Sequence, residues 1–218
     1  NGELFIILDS DDWLVDTCLE KMAQIWQRCQ NKETYCGLMG KSMSNGRMIG
    51  CPFPETIKEL SYVEYHYGKY AGMFLDCCES IRTDILKNYS WPENLDTKFI
   101  PENYVMDQIG LKFKLILTNE ILMEKVYEND GITNNLHEFI KKNISGYLFN
   151  TISKIDIILP NAHKTEVNSF ALRNLWYSYW QLVDIDIEKK GPRIKSISMI
   201  GYLMLIRNKL TQLLNKLI

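Results

Sequence analysis

The run LFIILDSDDWLVDTCLEKM, residues 4 to 22, restricts the fold more than any other stretch of this chain. Leu4 to Leu8 are apolar without a break, two of them β-branched and one aromatic, which is the pattern of a buried strand. Behind them, Cys18, Leu19, Met22, Ile25, Trp26 and Cys29 recur at helical spacing, with Asp16 placed as an N-cap. A strand, a turn and an amphipathic helix that packs back on the strand make the building unit of an α/β protein. The turn itself holds three carboxylates within four positions, Asp9, Asp11 and Asp12. Like charges this close raise one another's cost of ionisation, so a cation or a reaction is expected there.

The rest of the first part continues in mixed α/β style. ETYCGLMGKSMSNGRMIG reads as two strands around Asn45-Gly46, a dipeptide that tolerates the positive φ of a tight hairpin turn. TIKELSYVEYHYGKY reads as a helix, AGMFLDCCES as a strand, RTDILKNY as a short helix and IPENYVMDQIGLKF as another helix. KLILTN and ILMEKVYEN read as two further strands. From about Thr133 the pattern turns helical, most strongly in SFALRNLWYSYWQLV. The expected division is an α/β part over 1–132 and a helical region over 133–218, with no repeat or low-complexity linker between them.

Composition narrows the functional classes. With 46% apolar and 24% charged residues over 218 positions the chain can bury a core, and neither disorder nor a collagen-like repeat fits it. No apolar run approaches the roughly 20 residues that span a bilayer, and an intracellular protein is expected. The six cysteines contain no C-x-x-C pair, against both a zinc site and a secreted disulfide framework. Charge is uneven: the net charge is −2, yet seven basic and no acidic residues lie between Lys189 and Ile218. Leu203, Ile206, Leu210, Leu213, Leu214 and Leu217 recur there at helical spacing. Residues 196–218 therefore read as a basic amphipathic helix, either docked on its own domain or lying on an anionic membrane face. Nucleic acid is disfavoured, because the aromatics do not interleave with the basic residues as a stacking platform requires.

Three chemistries use an acidic turn at the end of a buried strand, where α/β proteins bind ligands. A calcium loop needs a glycine at its sixth position, which Leu14 occupies, so that reading fails. A phosphatase of the haloacid dehalogenase type also sets D-x-D after an apolar strand, the first aspartate as nucleophile. It wants a small residue where Trp13 stands and a later Gly-Asp motif that this sequence lacks. The third is a D-x-D that shares Mg²⁺ or Mn²⁺ with the diphosphate of a nucleotide-sugar.

GELFIILDSDDWLVDTCLEKM closely resembles the strand, D-x-D turn and helix of family 2 glycosyltransferases, inverting enzymes of GT-A fold. FIPENYVMDQIGLKFKLILTNEILMEKVYENDGITNN is similar to a later part of that fold, and together the likeness covers about residues 1–135. It implies a GT-A-like mixed sheet flanked by helices, followed by a helical C-terminal region. The implied activity is metal-assisted transfer of a sugar from a nucleotide-sugar, a UDP-sugar being expected, to a glycan or lipid-linked acceptor in bacterial polysaccharide synthesis. Carried over by motif, Asp9 contacts the sugar-nucleotide, Asp11 with Asp9 binds Mg²⁺ or Mn²⁺, and Asp12 supports the turn and substrate. The family's Glu-Asp element, which supplies the base, reads Pro101-Glu102-Asn103 here. Asparagine cannot take a proton, so Glu102 is the expected base and Asp107, one helical turn on, the alternative. Glu102 also stands where a first-turn carboxylate is favoured by the helix dipole alone. Asp130 lies where some relatives close a residue over the metal. His66, His137 and His163 match no ligand spacing and read as surface or packing residues.

Family members carry the strands that bind the base and ribose ahead of the D-x-D, which here stands at residue 9. The expectation is a polypeptide with the metal and acceptor side of the site, lacking most of the nucleotide pocket and inactive alone. A cytoplasmic protein, peripheral at the inner face of the membrane through residues 196–218, completes this reading. Outside catalysis, a glycan- or membrane-binding fragment is the alternative.

Overall fold

A computed structural model describes residues 2–127, 131–132, 134–163 and 166–185. Asp130 and the basic segment 196–218 lie outside the described residues. The strands are β1 (Leu4–Ile6), β2 (Trp13–Leu14), β3 (Tyr35–Ser44), β4 (Arg47–Met48), β5 (Glu59–Ser61), β6 (Cys78–Arg82) and β7 (Lys114–Glu124). The helices are α1 (Cys18–Arg28), α2 (Tyr62–Tyr67), α3 (Thr83–Leu86), α4 (Asn103–Gly110), α5 (Leu136–Lys142), α6 (Ile144–Ser153), α7 (Leu159–Asn161) and α8 (Ser169–Ile185). A π-helical turn at Lys154–Ile158 joins α6 to α7.

The sheet is mixed, in the order β1-β6-β3-β7-β2, with β4 beside β3, and β5 sharing the outer edge of β7 with β2. β3 and β7 run parallel, and the other pairs are antiparallel. Helices flank the sheet. On one face, α1 buries Cys18, Met22 and Trp26 against Leu38, Cys78 and Leu122. On the other, Tyr62 of α2 and Val105, Met106 and Ile109 of α4 pack on Met39, Ile81 and Leu115. The far side of α2 holds Val63 and Tyr67 against Ile155, Ile158, Leu175 and Trp176, so the helical part is anchored through α2. No helix among the described residues is long and apolar enough to cross a membrane.

Local chemistry explains several elements. Asn45 (φ 50°) and Gly46 (φ 72°) make the turn between β3 and β4, as their dipeptide predicts. Ser61 caps α2 in a reciprocal box with Glu64. Gly37 lets β3 approach β6 so closely that an added Cβ would fall 1.8 Å from the Ser80 carbonyl oxygen.

Five expectations are corrected. The buried strand expected at Leu4–Leu8 is an edge strand, β1, that ends at Ile6, with Phe5 and Leu8 each 45% exposed, because only one of its faces packs on α1. The two strands expected at 114–119 and 121–129 are one strand, β7, with a register shift where Met39 and Lys41 of β3 face Leu117 and Ile121. Asn119 in the skipped stretch accepts from the Phe53 backbone N–H at 2.7 Å and donates to its carbonyl at 2.9 Å, which stabilises the irregularity. The helix expected from Thr56 opens as β5 and turns helical only after the Ser61 cap. The strand expected at 71–80 is confined to β6, and the residues before it form a loop. Finally, α1 is preceded by Thr17 as N-cap, without a side-chain bond, and Leu19 is 64% exposed.

Candidate active site

Strand parity places the acidic turn. Leu4 and Ile6 face α1, whereas Phe5, Ile7 and then Asp9 line a cleft of about 290 Å³ on the α4 side. The opposite wall of that cleft comes from Glu102 at the N-cap of α4 and Met106 one turn on, with His66 of α2 and Glu79 of β6. A second cavity of about 430 Å³ is lined by Asp9, Ser10, Asp11, Asp12, Val126 and Tyr127. Asp9, Asp76 and Lys125 border both, so the turn stands where the two spaces meet.

The repulsion in the turn has an internal remedy. Lys125, just past the end of β7, donates to Asp12 Oδ2 at 2.6 Å and lies 3.8 Å from Asp9 Oδ2. Burial works against charge on this lysine, but its bond to Asp12 and the pull of Asp12 and Asp9 hold its pKa above the ordinary value. Asp12 Oδ1 also accepts from the Val126 N–H at 3.3 Å, so the Asp12 side chain, 4% exposed, ties the turn to the end of β7. Asp9 and Asp11 remain exposed. Among the described residues no three or more His, Cys, Asp or Glu side chains converge on a common metal position. Two exposed carboxylates fit a hard cation that fills its shell with phosphate and water, not a cage made by protein alone.

Glu102 is the N-cap residue of α4, but its side chain makes no capping hydrogen bond. Desolvation at the cleft wall, then the charge of Asp9, raise its pKa. Its neighbour Asn103 is spent on structure, its Oδ1 accepting from Asn150 Nδ2 of α6 at 2.8 Å. Asp107, expected as the alternative base, is fully buried behind the cleft wall. Its Oδ1 lies 2.5 Å from His66 Nδ1, and its Oδ2 accepts from the Tyr67 hydroxyl at 2.5 Å.

No protein-family model, curated protein or solved structure matches this chain.

The structure adds residues that the sequence reading passed over. Lys125 and Asp76 belong to the turn, and Asp76 adopts a left-handed backbone (φ 41°) while its carboxylate accepts from the Tyr127 hydroxyl. Glu79, in the same wall as His66, has its pKa raised by burial. His66, read from sequence as a surface or packing residue, lines the cleft. Lys125 stands inside the expected strand ILMEKVYEN, and no local pattern pairs it with Asp12. Cys77 shares the cleft with His66, the residue types of a nucleophilic pair. Burial pushes its thiol up to about 11 despite Lys41 Nζ at 3.6 Å, so little thiolate exists for attack at neutral pH.

Proposed function

We propose that this chain carries the acidic-turn and acceptor side of a metal-assisted, inverting glycosyltransferase of GT-A architecture and family 2 type. The donor is a nucleotide-sugar, a UDP-sugar first, and the acceptor a glycan or lipid-linked glycan of bacterial polysaccharide synthesis. One observation supports this most: two cavities meet at Asp9, one presenting Asp11 and the other a carboxylate, Glu102, with a raised pKa. Asp9 and Asp11 would hold Mg²⁺ or Mn²⁺, which supplies positive charge to a departing diphosphate. Glu102 takes the proton of the acceptor hydroxyl as that oxygen bonds to the anomeric carbon. The bond from carbon to diphosphate breaks on the opposite face, with its electron pair leaving on the diphosphate. A carboxylate whose pKa is raised holds such a proton better than an ordinary one. The basic residues of the C-terminal segment support peripheral contact with the inner face of the cytoplasmic membrane.

The test is release of UDP from a panel of UDP-sugars, with Mg²⁺ or Mn²⁺ and glycan acceptors, by the protein at its natural length. Asp9→Asn and Asp11→Asn should abolish release, and Glu102→Gln should slow transfer by about 10²–10⁴-fold. No release with any donor, together with a phosphatase activity lost in Asp9→Asn, would replace this reading. Vesicle sedimentation with and without residues 196–218 tests the membrane contact, and equal binding removes it.

A further inference from the structure

His66 and Asp107 lie 41 positions apart and on different helices, yet their side chains meet at 2.5 Å. Asp107 is fully buried, and both its oxygens are engaged, one by His66 Nδ1 and one by the Tyr67 hydroxyl. Lys154, on the π-helical turn behind α4, adds a nearby positive charge to which Asp107 is attractive, while burial lowers the lysine's pKa. A carboxylate set among donors in this way accepts from Nδ1–H and leaves Nε2 of the imidazole as a lone-pair acceptor. The His66 side chain is 23% exposed and borders the cleft, whereas Asp107 is not exposed at all. Nε2 has no hydrogen-bond partner among the described residues, so the available edge of the ring is an acceptor. Phe5, 45% exposed, and Tyr65, whose ring centroid is 4.8 Å from that of His66, border the same space. A fixed hydrogen-bond acceptor beside aromatic faces is how a cleft orients a hydroxylated ring.

We propose that His66, held in one tautomer by Asp107, is the group that binds a hydroxyl of the acceptor sugar in this cleft. Asp107 is its positioning residue. The proposal rests on the transferase reading for the identity of the ligand, while the dyad itself does not depend on it. Glu102 takes the proton of the reacting hydroxyl, and His66 accepts a hydrogen bond from another hydroxyl of the same ring, which fixes which oxygen faces Glu102. A ring without a hydroxyl at that place leaves Nε2 unpaired and is selected against.

The first measurement is the long-range nitrogen–proton spectrum of His66 in the 218-residue chain at mildly alkaline pH. The expected result is Nδ1 protonated and Nε2 bare, with Asp107→Asn giving a mixture of tautomers; protonated Nε2 in the wild type overturns the proposal. The second is titration with methyl hexosides and disaccharides, in which the Nε2 resonance should move with at least one of them. No movement with any of them overturns it. In the transfer assay, His66→Ala should raise the acceptor KM roughly tenfold, the loss of one hydrogen bond, with a much smaller fall in kcat. His66→Gln, whose amide oxygen can occupy the Nε2 place, should recover part of that loss. An unchanged acceptor KM in His66→Ala sinks the proposal even if UDP release depends on Asp9 and Asp11. Glycan-induced movement of Nε2 without any UDP release upholds the binding group and rejects the transferase reading instead.

Discussion

Lys125 Nζ lies 2.6 Å from Asp12 Oδ2, and this contact closes the acidic turn onto the end of β7. The two residues are 113 positions apart. They divide the turn into a structural carboxylate, Asp12, and two exposed ones, Asp9 and Asp11.

Replacing Lys125 with Met should therefore leave Asp12 poorly solvated and unpaired. A cost of about 1.5–3 kcal/mol is expected, that of a hydrogen bond to a charged group. At this chain length it lowers Tm by roughly 3–12 °C. Adding Asp12→Asn should restore much of it, a coupling that a double-mutant cycle by thermal circular dichroism measures. The lysine's pKa is raised on folding. Its contribution is thus complete below the ordinary lysine value and is lost as pH rises through the folded value. Wild-type stability should fall in that alkaline window, and Lys125→Met should lack that part of the fall.

Glu79→Gln should stabilise the protein at neutral pH. Burial raises the pKa of Glu79, so the folded state binds its proton more tightly than the unfolded chain does. The glutamate is neutral in both states well below its ordinary pKa and becomes a cost as pH rises through the folded value. A gain of about 0.5–2 kcal/mol at pH 7 that vanishes on acidification is expected from paired urea melts. A gain independent of pH would show that charge on Glu79 is not its source.

Asn103→Asp restores the acid that the glycosyltransferase resemblance expects at that position. The new carboxylate can still accept from Asn150, so the contact between α4 and α6 persists. Its charge beside Glu102 should lift the Glu102 pKa further, beyond the effect of burial and Asp9. Carbon-detected titration of the Glu102 carboxyl reads the direction directly.

Gly37→Ala tests the packing of the sheet. The added methyl would meet the Ser80 carbonyl oxygen, a backbone atom that cannot swing aside. A loss of about 1–3 kcal/mol is expected, typical of overpacking, measured by denaturant unfolding.

Much of the local structure was readable from residues alone. The strand and helix around the acidic turn, the Asn45-Gly46 hairpin and α8 follow from period and turn chemistry, which act over a few neighbouring residues. The single strand β7 was not readable, because Asn119 reads locally as a break, whereas its partner in the fold is Phe53, 66 positions away. Within the candidate site, Asp9, Asp11 and Asp12 could be named from sequence, since carboxylates directly after an apolar strand are a short-range pattern, whereas Glu102 could be named only through the likeness to glycosyltransferases. That Lys125 neutralises Asp12, that Asp107 is shut behind His66, and that His66 borders the cleft were decided by tertiary packing alone. A side chain's charge and donor set belong to the residue, but its partner depends on which elements the apolar core brings side by side.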